Sequence, residues 1–317
     1  MLNVNRLRML REVASRGTVV AAAEALFMTP SAVSQQMAVL EREAGTPLLE
    51  RHGRGVRPTD AGLRLVENTE RILAALERAE ADLAAASRGV VGRVRVSAFP
   101  TAARALLVPA LPKLVTLFPN LHVSMVDLEP EESLPALKAD ELDLVVTYEW
   151  NVLPRLRDPG VEREELLCEP VYLALPATHP LARKKKVRVA DLRDEEWIVG
   201  RDSTSMLELV VAATRREGYE PRTDFHSMDF QVILAAVGEG LGVALVPPLA
   251  LIGEYPDVAI TSIVDLALDR TIWASIRRGS SGNPGIAAVL RALREASARV
   301  AVRLPRSAEE APSEPPV

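Results

Sequence analysis

The chain has 317 residues, 48% of them hydrophobic and 26% charged, and a formal net charge of −5. That length exceeds one typical core and predicts two or three domains, while the acidic balance excludes a protein that coats nucleic acid over its whole surface. Cys168, the single cysteine, leaves no intramolecular disulfide or thiolate-pair metal site. No stretch has the roughly 18 uncharged apolar residues of a membrane span, and the early Asn3, Asn5, Arg6, Arg8 and Arg11 break up any secretion signal, so a cytoplasmic protein is expected.

From the start of the chain, Val4, Leu7, Leu10, Val13 and Ala14 recur at helical spacing, and Gly17 ends the pattern. Thr18 then caps a short second helix, "VVAAAEALF", whose small residues permit close packing. Thr29 and Pro30 open a third helix with a cap followed by proline at the first helical position. The connection between the second and third helices is as tight as that of a helix-turn-helix.

On the third helix Val33, Met37, Leu40 and Ala44 share a face that should pack on the first two helices. The opposite face carries Ser31, Gln35, Ala38 and Arg42, flanked by Ser34. Short side chains there admit close approach of another surface. A Gln amide matches the donor and acceptor of adenine in the major groove, and hydroxyls suit phosphates or base edges.

The bland reading is an ordinary polar surface helix. Against it stands the local charge: residues 1–58 hold eight Arg and five Glu, a net of +3. The segment "TPLLERHGRGVRPT" follows, a Gly-containing turn between short β-compatible runs, as in a hairpin wing. Its Arg51, Arg54 and Arg57 stand where they would reach phosphates or a minor groove.

Thr59 and Asp60 start a proline-free stretch in which Leu65, Thr69, Ile72, Leu76, Ala79, Leu83 and Ala86 alternate spacings of four and three, a heptad seam. A helix of nearly thirty residues spans on the order of 40 Å and cannot bury its seam against itself, so a second copy is the expected partner. "SRGVVG" at 87–92 ends the rod. Beyond Gly92, β-like runs alternate with helical ones ("RVRVSAF", "HVSMV", "LDLVVTY", then "VYLALP", "EWIVG", "DFHS", "VALVP"), which predicts two parallel α/β lobes. The Pro- and Glu-rich end, 304–317, has almost nothing to bury and reads as a disordered tail.

Little else carries chemistry. "GEGLG" at 238–242 has a helix before it and a strand after it, the reverse of a dinucleotide loop. "RKKKVR" at 183–188 reads as a solvated loop. His52, His122, His179 and His226 lack ligand spacing, and no Ser, His and acid grouping announces a nucleophile, so neither metal, cofactor nor catalysis is expected.

Residues 21–62, "AAAEALFMTPSAVSQQMAVLEREAGTPLLERHGRGVRPTDAG", resemble in order the DNA-binding signature of LysR-type transcriptional regulators. The run departs from the commonest pattern at Gln35, Leu49 and Pro58, where Arg, Phe and an aliphatic residue are frequent. The first departure bears on which bases are read.

The resemblance implies a multidomain α+β chain: a winged helix-turn-helix over 1–58, a dimerising linker helix over 59–91, and an effector domain of periplasmic-binding-protein type over 92–303. It implies that this last domain crosses twice between its lobes, one formed by 92–163 and 268–303 and the other by 164–267.

In such a module a small ligand binds between the lobes, at strand carboxyl ends and helix amino ends. The candidates are Ser97, Pro100 and Thr101, then Thr147 and Tyr148, then Ser203 and Thr204, then Ser227 and Asp229. Thr101, Ser205 and Asp229 would equally serve as plain helix caps.

The expected function is that of a homodimeric or homotetrameric regulator of transcription, binding a double-stranded DNA operator under control of a small-molecule effector. Thr29, Pro30, Ser31, Ser34, Gln35, Arg51 and Arg54 are its expected DNA contacts. The competing readings are a small-molecule sensor or solute-binding module whose N-terminal helices contact protein, and an enzyme fused to a DNA-binding domain.

Overall fold

The computed structural model describes residues 1–53, 55–86, 89–153, 158–184, 186–201, 204–265 and 267–302; Arg54, Ser203 and the tail at 304–317 lie outside the described residues. Asn3 caps α1 (Val4–Arg16) by accepting from the N–H groups of Asn5 and Arg6, and Gly17 ends it in a left-handed conformation. Thr18 caps α2 (Val19–Ala25), and Thr29 caps α3 (Pro30–Ala44), its hydroxyl accepting from the Ala32 N–H at 3.2 Å. Leu7, Leu10, Val13, Ala22, Ala23, Val33, Met37, Leu40 and Leu48 close a single buried core. Each large aliphatic side chain buried there contributes roughly 1.5–3 kcal/mol.

β1 (Leu49–His52) and β2 (Gly55–Pro58) pair antiparallel as the wing. The Val56 N–H donates to the Gly17 carbonyl at 2.8 Å, which pins the wing to the end of α1.

α4 (Asp60–Ala85) has two distinct faces. Leu73, Ala74, Glu77 and Ala81 are buried against the rest of the same chain. On another flank Ile72, Leu76 and Leu83 are 39%, 37% and 74% exposed, so most of the heptad seam is left uncovered by this chain. Leu65 and Thr69 are covered: Leu65 packs against the N-terminal core, and Thr69 is fully buried with its hydroxyl donating to the Leu65 carbonyl at 2.7 Å.

The rest of the chain runs β3 (Gly92–Ala98), α5 (Pro100–Ala102), a π-helical turn at Ala103–Leu107, α6 (Val108–Leu117), β4 (Leu121–Asp127), α7 (Pro130–Lys138), β5 (Leu144–Trp150), β6 (Val161–Pro170), β7 (Tyr172–Pro176), β8 (Lys186–Val187) and β9 (Glu196–Val199). It continues with α8 (Ser205–Arg216), β10 (Arg222–His226), α9 (Phe230–Gly238), β11 (Ala244–Val246), β12 (Val258–Ile263), β13 (Asp269–Arg277) and α10 (Pro284–Ala301).

The first lobe is a five-stranded sheet in the order β4-β3-β5-β13-β6. The second is built on β11-β7-β12-β8, with the parallel pair β10-β9 joined through a bridge between Trp197 and Val243.

Two expectations change. The lobes are mixed rather than parallel: β13 runs antiparallel to β5 and β6, and β7 antiparallel to β11 and β12. The return crossing from the second lobe brings the chain back through β13 in the opposite sense to β5. The first crossing also falls later than 163/164, because β6 stays paired with β13 as far as Pro170.

Side-chain contacts tie the N-terminal unit to the first lobe. Arg11 Nη2 donates to the Lys138 carbonyl at 3.0 Å, Lys138 pairs with Glu12 at 3.9 Å, and Arg277 of β13 bonds Glu77 of α4. At Gly279, whose φ of +97° favours glycine, a Cβ would stand 2.4 Å from the Ala74 carbonyl oxygen of α4. Only glycine allows the effector domain to lie this close to the linker backbone.

Candidate functional site

The exposed face of α3 is the one expected from the sequence. Pro30, Ser31, Ser34, Gln35, Ala38 and Arg42 face solvent, while Val33, Met37 and Leu40 are buried. Thr29 is exposed too, with its hydroxyl 3.1 Å from that of Ser31. The two consecutive glutamines differ. Gln36 accepts from Arg6 Nη1 at 3.4 Å, whereas Gln35 stands on the exposed face.

Arg51 is exposed on β1 opposite Val56. Arg57 pairs with Glu50 at 2.5 Å across the wing, an exposed ion pair worth about 0–1 kcal/mol and therefore easily exchanged for a phosphate.

The second site lies between the lobes. Phe99, Pro100, Thr101, Glu129, Tyr148, Trp150 and Arg270 form one wall, and Met206, Met228 and Phe230 the other. The space left between them is about 10 Å³, room for no more than about one water molecule, so the cleft is closed on its own side chains.

Arg270 is 1% exposed. Its Nε and Nη2 donate to Glu169 Oε1 at 2.8 and 2.5 Å, and Nη2 also donates to Thr101 Oγ1 at 3.2 Å. Its guanidinium carbon lies 5.0, 5.4 and 5.8 Å from the ring centres of Phe99, Tyr148 and Trp150, within cation–π range of all three. Burial pushes the Glu169 carboxyl above its ordinary range, and Arg270 and the Leu249 N–H act against that push.

A hydrogen-bond relay joins the two walls. Trp150 Nε1 donates to Ser205 Oγ at 3.1 Å, Ser205 Oγ donates to the Tyr148 hydroxyl at 3.5 Å, and Tyr148 donates to Glu129 Oε2 at 3.1 Å. The Ser205 N–H at the start of α8 donates to Glu131 Oε1 at 3.4 Å. Burial pushes the Glu129 carboxyl up to about 7, with Glu131 and Glu132 adding to the shift and Tyr148 and Arg270 opposing it. Burial likewise raises the Tyr148 hydroxyl well above the usual phenol range.

Of the residues expected at this cleft, Pro100, Thr101 and Tyr148 line it. Ser97 and Thr147 are buried away from it, Thr147 lying 3.4 Å from Ser275 Oγ. Successive strand residues face opposite ways, so Thr147 and Tyr148 cannot share a wall. Thr204 caps its own loop by donating to the Arg201 carbonyl, Ser227 accepts from the Asp229 N–H, and Asp229 caps α9. Their neighbours Ser205, Met228 and Phe230 hold the cleft positions instead.

Sequence reasoning missed Phe99, Glu129, Trp150, Met206, Met228, Phe230, Glu169 and Arg270. The strand period does carry a signal for Trp150, two residues beyond Tyr148 on the same face. No local pattern flags Arg270, which reaches the cleft from a strand more than a hundred residues later in the chain.

Fold and surface together define a winged helix-turn-helix DNA-binding protein joined by a long helix to a two-lobed α/β domain with an interlobe cleft. Residues 4–63 match the model of the bacterial regulatory helix-turn-helix proteins of the lysR family, and residues 87–298 that of the LysR substrate binding domain. The chain belongs to the LysR family of bacterial transcriptional regulators.

It is similar to the probable HTH-type transcriptional regulator LrrA of Synechococcus elongatus, at 30% identity over 94% of this chain and 99% of that one. It is also similar to the regulator TcbR of a Pseudomonas species, at 29% identity over 87% and 93% of the two chains. Among solved structures, full-length CbnR in complex with its target DNA is 27% identical with a TM-score of 0.53, over 93% of this chain and all of that one. Among the described residues no helix is long and apolar enough to cross a membrane.

Proposed function

We propose that two or four copies of this chain bind an inverted-repeat operator in the cytoplasm, and that a small effector entering the cleft changes their DNA geometry without being turned over. In this reading 1–58 reads DNA, 59–91 pairs the copies, and 92–303 senses, with the first crossing between lobes near Val171 and a tail at 304–317. The observation that carries it is α3, whose apolar face is consumed by the core while its small polar face is left outside.

Ser31, Ser34 and Gln35 contact bases, and Thr29, Pro30, Arg51 and Arg54 position the backbone. Paired linker helices set the spacing of the two recognition helices on one face of the duplex. The Arg11–Lys138 and Arg277–Glu77 contacts supply the route by which the first lobe acts on the DNA-binding unit.

Gln35→Ala should relax preference at one operator position by about 1–3 kcal/mol, measured by fluorescence anisotropy against a set of single-base operator variants. Uniform weakening across all sequences would instead make Gln35 a positioning residue. Replacing Leu76 and Leu83 together by Lys should break the exposed seam and yield monomers in sedimentation velocity. A variant that sediments as the wild-type assembly would refute pairing through this helix.

A further inference from the structure

We infer that the interlobe cleft takes an organic cation, a primary amine carried on an aromatic or branched aliphatic body. This rests on the reading of the cleft as the effector site.

The first argument is which charges are already used. Two features of this cleft suit an anion, the Arg270 guanidinium and the amino end of α8. Both already meet the chain's own carboxylates: Glu169 holds Arg270 at 2.5 Å, and Glu131 accepts from the first N–H of α8, that of Ser205, at 3.4 Å. Beyond these pairs the acid lining the wall is Glu129, with the exposed Glu131 and Glu132 beside it at the start of α7. Glu129 spends Oε2 on Tyr148, and among the described residues its Oε1 has no hydrogen bond. An incoming carboxylate would meet acceptors and like charge; an ammonium would meet partners.

The second argument comes from what closes the cleft. Ser205 of the second lobe offers the first lobe donors: its N–H goes to Glu131 and its hydroxyl to Tyr148. A ligand has to part the lobes to enter so small a space, and it then replaces those donors. An ammonium brings three N–H groups to the same acceptors. The opposite wall, Met206, Met228 and Phe230, has no charge and suits an apolar body, since thioethers and rings adapt to irregular shapes. The rings of Phe99, Tyr148 and Trp150 already stabilise one buried cation, Arg270.

A pH signature follows. The groups facing Glu129 are Tyr148 from β5, Glu131 and Glu132 from α7, and Arg270 from β13, and together with burial they bring it to about 7. A cation favours the ionised carboxylate, so its binding expels a proton and tightens as pH rises through that value; an anion would behave in the opposite sense.

The test is isothermal titration of the full-length protein with phenethylamine and with its near-isosteric carboxylate, 3-phenylpropanoate, at about pH 6 and about pH 8. The amine is expected to bind at least about tenfold tighter than the carboxylate and tighter at the higher pH. Glu129→Gln should abolish both the preference and the pH dependence, and Phe230→Asp should change amine affinity, which locates the binding. Tighter binding of the carboxylate overturns the cation inference and leaves the cleft standing as the effector site. Amine binding indifferent to both variants lies elsewhere and also overturns it. Binding of neither probe overturns it too, and the effector reading falls with it only if Trp150→Ala leaves operator affinity unchanged as well.

Discussion

Arg270→Met should destabilise the chain by about 3–5 kcal/mol, because it leaves Glu169 as a buried carboxylate without its counter-charge. Glu169 is 1% exposed, and besides Arg270 it is held by the Leu249 N–H at 2.9 Å. Urea titration of the full chain followed by tryptophan fluorescence measures the loss. The double variant Glu169→Leu with Arg270→Met should recover most of it, since an apolar pair of similar volume avoids desolvating two charges. A single variant within about 1 kcal/mol of wild type would mean that Glu169 takes up a proton, or meets water, once Arg270 is gone.

Gly62→Ala has a sign that decides between two pictures. In an open helix position the change stabilises by about 1 kcal/mol, because alanine is the better helix former. Here a Cβ would stand 2.0 Å from the Leu48 carbonyl oxygen and 3.2 Å from the Pro58 Cβ, main chain and a rigid ring with no flexible side chain to yield. Overpacking of that kind costs roughly 1–3 kcal/mol and sometimes more. The linker helix should therefore part from the wing, and operator affinity in an anisotropy titration should fall by about tenfold or more. Unchanged or improved stability would show that the helix starts free of the DNA-binding core.

The N-terminal unit was the most legible part of the sequence because its signals are local. Thr18, Thr29 and Thr59 act as caps as their positions imply, and the 3.6-residue period separates Val33, Met37 and Leu40 from Ser31, Ser34 and Gln35. The exposed row of Ile72, Leu76 and Leu83 was equally visible, since a heptad spacing needs no knowledge of the rest of the fold.

The effector domain was harder because its architecture depends on pairings distant in sequence. β13 lies between β5 and β6 and imposes an antiparallel order that alternating runs of strand and helix do not encode. The cleft shows the same limit at single residues. Helix starts draw attention to Thr101, which lines the cleft and accepts from Arg270. The charged centre, however, is assembled from Glu129, Glu169 and Arg270, on three different parts of the chain.

Gly279 has a mechanical consequence. Side chains between two packed elements act as springs, since rotamers can shift and take up small displacements. At Gly279 that layer is missing, and the effector domain meets the backbone of α4 directly at Ala74. Gly62 removes the same layer where α4 meets the end of the DNA-binding core at Leu48. At both joints the neighbour is main chain, which no change of rotamer can move aside.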